Sequence, residues 1–196
     1  MPWPKDHKAK TREKIVSTAS AALRTGGVSH VGVKEVMARA GLTHGAFYAH
    51  FSSKEALVRT ALEYAGNQTL EHFSKRLEAV PPDDRFTAAV ASYLSPQHAA
   101  HPEHGCPVAA LGPEVARTGG QTKRVLADGL QRRIEWMRSL LPARLRGARE
   151  HEVLVGTVAC MVGAVVLARV FGGKESEAIL ESARRFLDRA LAAEER

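Results

Sequence analysis

The sequence predicts an all-α protein, with a small N-terminal bundle of three helices followed by a larger helical bundle. Three observations carry this. The chain of 196 residues is 44% apolar but only 6% aromatic, so Ala, Leu and Val must fill the core, a composition that favours helix over strand. Apolar residues recur three and four apart over long stretches, with no convincing strand alternation, internal repeat or low-complexity tract. Gly and Pro pairs separate those stretches, where helices have to stop.

The elements follow in order. Ile15, Ala19, Ala22 and Leu23 share one face of a first helix over about residues 8–24, ended by Gly26-Gly27. Val33, Val36, Met37 and Ala40 mark a short second helix stopped by Gly41. Thr43 is placed to cap a third short helix that holds Phe47, Tyr48 and Phe51. Ser52 and Glu55 stand at capping-box spacing, so a fourth helix should begin there and run towards Val80, where Pro81-Pro82 interrupts it. Five more helices are expected at about 83–94, 107–117, 121–141, 149–171 and 176–193. Their breaks are Ser95-Pro96, Gly119-Gly120, Pro142, Gly147 and Gly172-Gly173.

Charge is unevenly placed. The formal net charge is +7. Residues 1–60 hold ten basic and four acidic side chains, a net of +6, whereas the other 136 residues hold 18 and 17, a net of +1. A basic head on a neutral body suggests a module for nucleic acid or a membrane surface.

The N-terminal stretch is polar and has no continuous apolar core of a secretory leader, so a cytoplasmic location is expected. Two Cys are too few for a disulfide framework. The longest apolar run, Val153 to Ala168, has 16 residues, against the roughly 20 that span a bilayer, and reads as a buried or interfacial helix. A basic membrane-surface protein with a hydrophobic hairpin is one alternative. An enzyme is another, but no nucleophile elbow, phosphate-binding Gly loop, paired-His zinc motif or Cys-x-x-Cys is present. Nothing in the sequence implies a cofactor.

The second and third helices, joined by Gly41-Leu42-Thr43, have the dimensions of a helix-turn-helix. Gly41 can take the positive φ of the turn, Leu42 can plug the space between the helices, and Thr43 can cap the second of them. His44-Gly45-Ala46 is a small-faced helix start able to approach base edges. Phe47 and Phe51, four apart, should face the core, leaving His44, Tyr48 and His50 outside for phosphate or base contact. Lys54 begins the next helix, where its charge opposes the helix dipole but suits a phosphate. Lys8, Lys10 and Arg12 are either further phosphate contacts or a solvated face.

The run from Gly41 to Leu57, GLTHGAFYAHFSSKEAL, resembles the signature of the TetR family of bacterial transcriptional regulators, and the resemblance covers residues 10–62. It implies an all-helical homodimer that binds a pseudo-palindromic DNA operator, usually as a repressor released by a small ligand. Residues matching Lys34, Thr43, Tyr48, His50 and Lys54 touch the DNA backbone in that family, and those matching His44, Gly45 and Ala46 approach the bases. One departure is Val31-Gly32, where members often have Thr or Ser opening the second helix. The division expected is a DNA-binding part at 1–55 and an effector-binding and dimerisation part at 56–196.

In the second part, Gly156, Cys160, Gly163, Ala164 and Ala168 would admit a close partner helix. With Leu180, Ala183, Phe186, Leu187 and Ala190 they suit a four-helix dimer interface, or packing within one subunit. Pro107 suits the first turn of a helix and would put Cys106 at its N-terminus, where amide dipoles favour thiolate. Three readings of Cys106 stay open: a small buried residue, a sensor of electrophiles or oxidants of the kind some family members carry, or a metal ligand beside His98, His101 and His104. For a non-covalent effector, Phe86, Tyr93, Leu111, Leu130, Ile134, Met137 and Met161 are candidate cavity residues, or plain core.

Overall fold

In a computed structural model, residues 5–193 are described, and every regular element among them is helical. The first residues of the stretch read for a leader lie outside that range. Among the described residues nine α-helices follow one another: α1 Lys5–Gly26, α2 Val33–Arg39, α3 Lys54–Leu77, α4 Arg85–Tyr93, α5 Pro96–Ala100, α6 Pro107–Thr118, α7 Gly120–Leu140, α8 Glu150–Phe171 and α9 Gly173–Ala193. Short 3-10 turns at His44–Ala49, Pro82–Asp84, Pro102–His104 and Ala143–Leu145 join some of them.

The chain divides into two compact units. The first comprises residues 1–68 and 102–128, the second residues 69–101 and 129–196. This grouping follows packing along the chain, so α6 belongs with α1 and α2 in the first unit.

The first unit is built on the apolar face of α1. Ile15, Ala19 and Leu23 are buried together with Val36, Met37, Phe47, Phe51 and Leu62, and Leu111 and Val115 of α6 join the same core. Arg24 is also buried there. Its guanidinium donates to the Ser20 hydroxyl at 3.1 Å, the Gln68 side-chain oxygen at 2.8 Å and the Gly105 carbonyl at 3.0 Å. Five donors in a fixed fork let one arginine tie three chain segments together.

In the second unit, Phe73, Phe86, Tyr93, Met137, Leu154 and Leu180 are buried. Helices α8 and α9 pack side by side along their length. Helix α8 is long and apolar enough to cross a membrane by composition, yet it buries Leu154, Val158, Met161, Val165 and Ala168 inside the protein.

Three local expectations are corrected. The third short helix is a 3-10 turn, and Thr43 precedes it without a side-chain cap bond. Helix α3 is capped by Ser53, whose hydroxyl accepts the Ala56 N–H at 3.1 Å, so the cap lies one residue beyond Ser52. Ser95-Pro96 opens a helix rather than only ending one: Ser95 Oγ accepts the His98 N–H at 3.2 Å, and Pro96 occupies the first turn, where a missing N–H costs nothing.

Candidate nucleic-acid interface

Helix α2 ends in a Schellman motif. The Gly41 N–H donates to the Ala38 carbonyl and the Leu42 N–H to the Met37 carbonyl, both at 2.9 Å. The motif needs a residue at positive φ, and Gly41 supplies it at +69°. Leu42 then packs half-buried against the core, which sets the direction of the following turn. Gly32 caps the other end of α2 in extended conformation with no side-chain bond.

The turn from His44 to Ala49 is held from beneath. Phe47 and Phe51 are buried and stacked, with ring centroids 5.8 Å apart. Their burial leaves Tyr48 on the outside, 69% exposed, with its ring edge-on to Phe47 at 5.3 Å and to His44 at 6.0 Å. Lys34, Thr43, His44, Gly45 and Lys54 are exposed as well, whereas Ala46 and His50 are half-buried. A methyl group added at Gly45 would meet nothing within 4 Å, so the protein's own packing does not demand glycine there.

Helix α1 adds positive charge beside this edge. The Arg12 guanidinium lies 4.7 Å from the Phe51 ring centroid, a cation–π contact that fixes its stem. Burial, and then the charges of Lys8 and Arg12, push the His50 pKa below 6.5. The neutral imidazole, a hydrogen-bonding group, is thereby favoured in the free protein.

Sequence reasoning missed the strut under this surface. Glu114 of α6 accepts the N–H groups of Val28 and Ser29 at 2.9 Å each, so both orphan donors in the loop ahead of α2 are satisfied. Partners 86 and 85 residues apart leave no local signal.

The residues considered for an effector are divided between the two units. Cys106 and Leu111 are in the first unit, and Phe86, Tyr93, Leu130, Ile134, Met137 and Met161 are in the second. Cys106 is the N-cap of α6, followed by Pro107 in the first turn, and it is fully enclosed. Among the described residues no three His, Cys, Asp or Glu side chains are grouped to hold a metal ion.

Residues 15–61 match the family model described as bacterial regulatory proteins, tetR family. A TetR transcriptional regulator of Chloroflexus aurantiacus shares the fold with a TM-score of 0.78 and 27% identity, over 93% of this chain and 94% of that one. Residues 15–61 are a TetR-family DNA-binding segment. Among curated proteins, the chain is 38% identical over 53 residues to the uncharacterized HTH-type transcriptional regulator YerO of Bacillus subtilis. That match spans 27% of this chain and 18% of YerO. A TetR-family regulator of Cytophaga hutchinsonii has the same fold at 15% identity, with a TM-score of 0.79 over 96% of this chain and 97% of its own.

Proposed function

We propose that this chain is a cytoplasmic transcriptional regulator that binds a pseudo-palindromic operator as a homodimer and represses until a small molecule occupies its 56–196 part. The observation that carries this is the exposed edge around the Gly41 turn. Lys34, Thr43, Tyr48 and Lys54 suit phosphates, His44, Gly45 and Ala46 suit base edges, and a buried aromatic pair holds them in place.

The dimer reading rests on the outer face of α8 and α9. Ala164, Ala168, Leu180 and Leu187 are buried within the subunit, but Gly156, Gly163, Leu167, Val170, Phe171, Phe186 and Ala190 are exposed. Large apolar side chains left in water on packed helices mark an interface. A two-fold interface of this kind presents two reading heads to two half-sites. Enclosure of Cys106 favours a non-covalent effector over direct attack on the thiol.

Selection from random double-stranded DNA tests the proposal. An inverted repeat should be enriched and bound in the nanomolar range with a steep salt dependence. No enrichment of any repeat overturns it.

A further inference from the structure

Arg133 of α7 is buried, 4% exposed. Among the described residues it makes no hydrogen bond and no ion pair. Its guanidinium lies instead against two rings, 5.6 Å from the Tyr93 centroid and 5.9 Å from that of Phe73. Arginine keeps its charge in proteins, and a largely buried cation without an anionic partner is unfavourable even where its nitrogens keep some contact with water. Ring faces return only part of the lost hydration. Arg133 also interrupts the inward stripe of α7, three residues after Leu130 and four before the buried Met137, where an apolar side chain would stabilise the unit more.

The surroundings add positive charge. Arg169 of α8 donates to the carbonyls of Ala99 and His98, at 3.2 and 3.1 Å. His98 packs edge-on against Tyr93 at 4.4 Å and Phe73 at 5.6 Å, and its Nδ1 lies 2.7 Å from the Tyr93 carbonyl oxygen. Burial lowers its pKa to about 4, and the charges that add to this, Arg169, Arg133 and His72, are all cationic. Five helices thus supply a positive, aromatic-walled interior, and no carboxylate is among the groups that shift His98.

We propose that Arg133 anchors the carboxylate of an organic anion whose apolar or aromatic body lies against Phe73 and Tyr93. The guanidinium fork matches a planar carboxylate bidentately. A cationic ligand would meet repulsion from Arg133 and Arg169 both. As the identity of the effector, this rests on the reading of residues 56–196 as the effector-binding part.

The test uses the full chain and a panel of hexanoate, decanoate, benzoate and phenylacetate, each paired with its methyl ester and the corresponding amine. Binding is followed by calorimetry, and release of the selected operator is followed separately. At least one carboxylate should bind, with its ester and amine weaker by about tenfold or more, the usual worth of a charge-assisted hydrogen bond. Arg133→Met keeps the apolar stem and should bring carboxylate and ester within about twofold, while circular dichroism and operator affinity are unchanged. Arg133→Lys, which keeps charge but loses the fork, should fall in between. Binding of no carboxylate, or undiminished carboxylate binding by Arg133→Met, overturns the proposal. Operator release by esters or amines alone leaves the regulator standing and removes the anion site. Carboxylate binding through Arg133 in a chain that selects no operator supports the site and removes the regulator.

Discussion

The Glu114 carboxylate accepts the backbone N–H of Val28 at 2.9 Å, across 86 residues of chain. Its second oxygen accepts the Ser29 N–H at the same distance, so α6 grips the loop that leads into α2. Burial raises the Glu114 pKa, but the hydrogen bonds from Val28 and Ser29 outweigh it and hold the group below 4.5. A carboxylate whose folded pKa is lowered adds stability above its unfolded pKa and loses it as pH falls through the folded value. Glu114→Ala should cost about 1–3 kcal/mol in denaturant unfolding near pH 7, less in acid, and should weaken operator binding because the entry to α2 loosens.

At the DNA edge, Tyr48→Ala and Lys54→Ala remove exposed groups, so thermal unfolding should shift little. Both should lower affinity for all sequences, and Lys54→Ala should also flatten the salt dependence. His44→Ala should instead change which bases are enriched in a selection. Phe47→Ala separates fold from contact: emptying that buried site should cost about 3–5 kcal/mol.

His98 makes stability pH-dependent in the opposite part of the molecule's chemistry, as a buried base that stays neutral. It titrates near 6.5 when unfolded and near 4 when folded. Between those values the unfolded state binds more protons, so stability should fall with acidification by about 1.4 kcal/mol per pH unit and be level above pH 6.5. His98→Gln should flatten that slope in a series of melting curves from pH 7.5 to about 4.5. An unchanged slope would assign the acid sensitivity to other groups.

The exposed face of α8 and α9 predicts association. Leu167 and Phe186 are 51% and 57% exposed, so Leu167→Glu with Phe186→Glu leaves the subunit interior intact. The double variant should run as a monomer in light scattering where the wild type is a dimer, and should lose most operator affinity at low concentration, because each half-site is then held alone.

Helix by helix, much of this protein is legible locally. The apolar faces of α1 and α2, the glycine after α2 and the buried pair Phe47 and Phe51 depend on neighbours within four residues, and short-range periodicity reports them. Small errors have the same local origin. Ser52 and Ser53 are chemically equivalent as caps, and only the turn before α3 chooses Ser53. Pro96 looks like a terminator but sits in the first turn of α5.

By itself the sequence determined an all-helical chain with a basic head and a helix-turn-helix, since caps, glycines and spacing act within one or two turns. Tertiary structure alone decided which distant groups meet. It placed Glu114 under Val28, tied Arg24 to Gln68 and Gly105, and enclosed Arg133 between Tyr93 and Phe73 without a counter-charge. A charged residue in a helical stripe is ambiguous along the chain, because the cost of burying it depends on what the other helices bring to its head group.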